Sequence, residues 1–167
     1  KSLRYAQRIQ KALLPPEEAL QTLPYPSVIW YQPCQEVGGD FYWLRQIRGG
    51  QDYVLVLGDG TGHGVPGGFM TVLGISLLES LWEEGFTDLE GLAALFSHRL
   101  ALYLHSEEIG GVKDGIEALF LIISHQDDRL RYVNAGGSVK GFYIHQGNLT
   151  ELTKSGPGLG YDILGAS

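Results

Sequence analysis

A chain of 167 residues, 44% apolar and 19% charged, has room for one domain with a sizeable core and not for two comfortable ones. Its net charge of −7 argues against a nucleic-acid surface, and its single Cys34 excludes a disulfide framework or a cysteine-rich zinc site. No apolar run approaches the ~20 residues of a membrane span, so a reducing, cytoplasmic setting is the simplest expectation.

Residues 2–14 place Leu3, Ala6, Ile9 or Gln10 and Leu13 at helical spacing, with Lys1, Arg4, Arg8 and Lys11 and no acid. "LLPP" ends this helix, because a proline disfavours the α conformation at the residue before it. "SVIWYQP" (27–33) reads as a strand. "DFYWLRQI" and "DYVLVLG", joined by "RGGQ", read as a hairpin. From Pro66 the period becomes helical, with Phe69, Leu73, Leu77, Leu78 and Leu81 on one face and Gly85 placed to cap the end. Met70, Phe69 and the leucines after them are expected in the core. A second helix covers about 88–105. Strands resume at 116–123, 129–135, 139–145 and 149–153, with turns at "HQDD" and "QGN". Trp30, Tyr31, Phe41, Tyr42 and Trp43 are expected to pack between sheets. Strand runs around a helix pair predict an α+β fold with antiparallel sheet.

Glycine is the unusual residue: 24 of them, about twice the average share of roughly 7%. They crowd "LGDGTGHGVPGG" (57–68), where a strongly apolar strand meets one carboxylate, Asp59. "GHGVPG" formally matches a dinucleotide loop, but its helix runs into another helix and Glu83 and Glu84 fall at a helix end, so the remainder of that fingerprint is missing. Two readings stay open. One is a plain strand-to-helix turn with an exposed aspartate. The other is a hard-cation site made from a carboxylate, a bare carbonyl such as that of Gly60, and water. No Lys or Arg lies between Gly49 and His98 to pair with Asp59, although Arg45 is a more distant candidate. "EVGGDFYW" (36–43) supplies a second acid. Asp40 opens the strand that the hairpin joins to the one ending at Asp59, so the two acids belong to the same end of the hairpin.

"AQRIQKALLP", "VGGDFYW", "GDGTGHGVPGGFMTVLG" and "YVNAGG", in that order, resemble the SpoIIE/RsbU-like branch of the PPM metal-dependent serine/threonine phosphatases. The resemblance extends from the first helix to "GPGLGY" (156–161). It implies a four-layer α-β-β-α sandwich of two mostly antiparallel sheets, with residues 1–20 as a linker or regulatory helix and 21–167 as the phosphatase domain. It implies two Mn²⁺ or Mg²⁺ ions and a metal-bridging water that attacks phosphoserine or phosphothreonine. Asp59 would bridge the ions, the Gly60 carbonyl would complete one of them, and Asp40 would hold a metal directly or through water. A third ion is proposed in parts of the family, with Asp114 its candidate ligand here, although "KDG" reads more simply as a turn. His63 is given a structural or supporting role. The implied partners are a phosphorylated regulator of the anti-sigma-factor-antagonist type, an upstream sensory or receiver module coupled through residues 1–14, and a second copy of the chain.

Two features depart from the family pattern. Gly137 stands where a histidine often follows "NAG". The later Asp-Gly pair and a final acid have no match before Ser167, and Asp162 falls too early, so the domain is expected to lack its C-terminal strands. The alternative reading is accordingly a phosphatase-like scaffold module with an incomplete metal site.

Overall fold

The computed structural model describes residues 2–86, 88–104, 114–124 and 130–156. The expected "HQDD" turn and most of "GPGLGY" lie outside them, as does Asp162. Helix α1 (Ser2–Leu13) is followed by one short turn, α2 (Glu17–Leu20), and then by irregular chain up to β1 (Asp40–Ile47). A 3-10 turn at Arg48–Gly50, with Gly49 in the left-handed region at φ 64°, returns the chain as β2 (Asp52–Gly60). Helices α3 (Gly64–Glu84) and α4 (Leu89–Leu104) intervene before β3 (Ile116–Ser124) and β4 (Arg131–Ala135). A ribbon of β5 (Phe142–His145) and β6 (Asn148–Glu151) follows.

Strands β1 to β4 form one antiparallel sheet in sequence order, and β5–β6 form a second, two-stranded one. The α+β class and antiparallel pairing are as expected. Side chains alternate between the faces of a strand, so one face of the large sheet carries Trp43, Val54, Val56, Ile116, Ala118 and Phe120. That face packs under α3 and α4, whose Leu78, Leu81, Leu92, Phe96 and Leu100 are fully buried. Phe96 meets Phe120 edge-on at 6.0 Å. The opposite face holds Leu44 and Tyr53, covered by Leu20 and Leu23 from α2 and the chain just after it.

Helix α3 ends as predicted. Gly85, at φ 83°, donates its N–H to the Leu81 and Trp82 carbonyls. By length and composition alone Gly64–Glu84 is long and apolar enough to cross a membrane, a test that the core helix of a globular domain also passes. Half of it is buried against the sheet, as befits a core helix.

Three expectations are corrected. Residues 27–33 form no strand, and Val28 and Trp30 are exposed (91% and 87%), so Trp30 does not pack between sheets, and Phe41 and Trp43 pack instead under α3 and α4. Phe69 is 70% exposed, whereas its neighbour Met70 is buried. On α1 the buried residue is Gln10, while Leu3, Ile9 and Leu13 remain exposed. Of the face chosen by spacing, Gln10 and the half-buried Ala6 dock, and the apolar Leu3, Ile9 and Leu13 do not.

Candidate metal centre

The hairpin places Asp40 directly opposite Asp59, as cross-strand partners at the open end of β1 and β2. Directly opposed residues share a face of the sheet, here the face away from α3 and α4. Asp40 is exposed and Asp59 half-buried. Partial burial of its carboxyl, then the charge of Asp59, then hydrogen bonding with the Asp59 side chain raise the Asp40 carboxyl above the usual aspartate range. Two acids directly opposed across a ladder favour a proton or a cation between them. Arg45, the distant candidate partner, instead pairs with Glu79, which also accepts from the Trp43 indole N–H at 3.0 Å.

The glycines have a steric cause. Gly60 donates its N–H to the Gly39 carbonyl at 3.0 Å, and a Cβ on Gly39 would collide with the Gly60 carbonyl oxygen. A Cβ on Gly67, in the first turn of α3, would strike the Gly62 carbonyl oxygen and the Gly39 nitrogen. Three backbone segments thus converge beside the two carboxylates, closer than any side chain permits. His63 is exposed where α3 begins and makes no capping hydrogen bond.

This end of the sheet is also tied to α1. The buried Gln10 donates through Nε2 to the Gly38 carbonyl at 2.6 Å and accepts the Gly38 N–H at 3.2 Å. Thr71 of α3 donates to the same carbonyl at 2.9 Å, and the Tyr31 hydroxyl donates to the Asp40 carbonyl at 3.1 Å. The backbone that presents Asp40 is thereby gripped from α1, α3 and the 27–33 segment together.

The third strand and the chain leading into it add one acid each. Asp114 accepts a hydrogen bond from the Thr61 hydroxyl at 3.1 Å, while Thr61 N–H reaches the Gly115 carbonyl at 2.9 Å. Asp114 therefore stands beside Thr61, the residue after Gly60, at the same end of the sheet, but engaged with that threonine. Glu117 lies directly opposite Asp59 on the other side, so Asp40, Asp59 and Glu117 form one transverse row across three strands. Sequence reasoning missed Glu117, although an isolated acid in an apolar strand was the signal that singled out Asp59. Burial alone would raise the Glu117 carboxyl, but hydrogen bonds from Ser138 and Gly137 and the charge of Lys154 outweigh it and hold the group below the usual glutamate range.

Asp40, Asp59 and the Gly60 carbonyl suit a hard divalent cation: all are oxygen donors, and the cradle is one that a Cβ would fill. They supply only part of a coordination shell. Among the described residues, no group of three or more His, Cys, Asp or Glu side chains is disposed to hold an ion.

A profile of the family described as Stage II sporulation protein E (SpoIIE) matches residues 49–164, which includes Asp59 and leaves Asp40 just outside. The SiaA-PP2C domain of Pseudomonas aeruginosa is similar with a TM-score of 0.77 and 25% identity, over 95% of this chain and 61% of that one. The structure of the PP2C phosphatase domain and a fragment of the regulatory domain of the cell fate determinant SpoIIE from Bacillus subtilis gives 0.57 and 22%, over 74% of this chain and 34% of that one. The second likeness bears on fold alone. The chain thus spans less than two thirds of either. No curated protein gives a significant match.

Proposed function

From the premise that this chain belongs to the SpoIIE family, with a fold of the PP2C phosphatase type, we propose that it is a metal-dependent protein serine/threonine phosphatase. The carrying observation is the direct pairing of Asp40 with Asp59 beside a backbone cradle that admits no side chain. Asp59 would be shared between two Mn²⁺ or Mg²⁺ ions, Asp40 and the Gly60 carbonyl would complete their protein ligands, and Asp114 is the candidate for a third ion. The ions, when bound, supply Lewis-acid polarisation of the phosphoryl oxygens and a more acidic water. The chain's own part is to hold the acids in register, keep the approach to phosphorus bare, and offer the start of α3 to the anion.

The substrate we propose is a phosphoserine or phosphothreonine on a regulatory partner of the anti-sigma-factor-antagonist type. Residues 1–20 would be the regulatory leader of a phosphatase domain over 21–167. The exposed Leu3, Tyr5, Ile9 and Leu13 of α1 support an upstream module or a second copy as what covers that helix. A scaffold reading also has an observation in its favour, the lack of a three-ligand group among the described residues.

Mn²⁺-dependent release of phosphate from p-nitrophenyl phosphate separates the two. The hydrolase reading expects turnover that Asp59→Asn lowers by about 100-fold or more. A folded chain that binds Mn²⁺ and turns over no faster than this variant would leave the scaffold.

A further inference from the structure

Glu117 carries no role in the phosphatase reading, yet it occupies a place in the acid row. The alternation of β3 puts it on the same face as Asp59, and the β2–β3 register makes the two direct neighbours. Unpaired, a carboxylate there would have two courses. It could turn toward Asp59 and compete for a cation, or it could repel the two aspartates.

It takes neither. Its Oε2 accepts the Gly137 N–H at 2.6 Å and also the Ser138 N–H, and the Ser138 side chain donates to the same carboxylate. Gly136, at φ 113°, lies so close that a Cβ there would overlap the Glu117 stem. The turn is held from its other side as well, since Gly136 donates to the Gly156 carbonyl at 3.1 Å. Glu117 is thus spent on three donors of a single turn, and that turn becomes the next object in the row after Asp40, Asp59 and Glu117.

We propose that Glu117 is a positioning residue for the phosphatase site: it moors the Gly136–Ser138 turn as the wall on the β4 side of the acid row, and being so occupied it stays off the cations. The wall meets the polypeptide that carries the phosphate, not the phosphoryl group itself. Releasing it therefore weakens use of a phosphoprotein while sparing a small aryl phosphate. The inference rests on the phosphatase reading for its kinetic consequence, but the mooring stands independently of turnover.

The experiment compares the intact chain with its Glu117→Gln and Glu117→Ala forms by amide exchange, Mn²⁺ titration and kinetics on two substrates. Glutamine keeps an acceptor oxygen, so it should retain most of the protection of the Gly137 and Ser138 amides, whereas alanine should speed their exchange about tenfold or more. Mn²⁺ affinity should stay within about threefold in both, as expected for a half-exposed charge that is not a ligand. Alanine should raise KM for a phosphoserine peptide about tenfold with p-nitrophenyl phosphate turnover nearly unchanged, and glutamine should rescue it. Unchanged exchange in the alanine form would overturn the mooring. An equal, large loss of Mn²⁺ binding in both forms would make Glu117 a ligand and overturn the inference too. If the intact chain hydrolyses neither substrate, the phosphatase reading fails, while exchange and titration still decide the mooring.

Discussion

Asp40 and Asp59 are two acids that the fold forces together before any cation arrives. Because burial and the Asp59 charge raise the Asp40 carboxyl, the folded chain binds that proton more tightly than the unfolded chain. The sign follows by linkage. Metal-free stability is fullest below the ordinary aspartate value of 3.8 and declines as pH rises through the raised value. Urea melts without metal, run from acid to neutral pH, should show this decline, and Asp59→Asn should flatten it. Mn²⁺ displaces the same proton, so its affinity should rise with pH across that window; a pH-independent affinity would contradict the shared-proton picture. These two residues were legible in the sequence because each ends or begins an apolar strand beside glycines, and a short hairpin fixes which ends meet. Glu117 was not, because its place beside Asp59 depends on a pairing between β2 and β3 that spans two intervening helices.

At the scale of elements, the strand read at 27–33 failed for want of a partner. Alternation describes a half-buried strand only where a neighbouring ladder exists, and this stretch lies between Pro26 and Pro33 with its backbone outside both sheets. Helix α1 was found within a residue, but between Ile9 and Gln10 the spacing left the choice open, and the polar Gln10 makes the contact. Gln10 satisfies both backbone groups of Gly38, two residues before Asp40. Gln10→Ala leaves the Gly38 N–H without this acceptor and should cost about 1–3 kcal/mol in a denaturant melt. If α1 communicates with the site through this amide, Mn²⁺ affinity should fall as well. A loss of stability with unaltered Mn²⁺ affinity would restrict Gln10 to holding the helix down.

For the whole molecule, one face of a four-stranded sheet is sealed by α3 and α4, and the opposite face carries the acids at its end. Phe96 and Phe120 mark the middle of the sealed side. Phe96→Ala should cost about 3–5 kcal/mol by the same melts, and Mn²⁺ affinity should persist wherever the variant remains folded, since the core and the acid row lie on different faces. The class and antiparallel pairing were readable from strand runs and turn glycines. The unequal size of the two sheets was not, since four-residue strands such as β5 and β6 leave little periodicity to read. The transverse acid row has a consequence for how such a site can fail. Each of its three members is supplied by a different strand, so the site exists in only one alignment of the hairpin and its neighbour. Shifting β2 by a single residue would send Asp59 under α3 and α4 while most ladder hydrogen bonds could re-form. Length changes in the Arg48–Gln51 connection are therefore not neutral spacers: an added residue there is a frameshift written in space, able to yield a folded protein whose chemistry points into its own core.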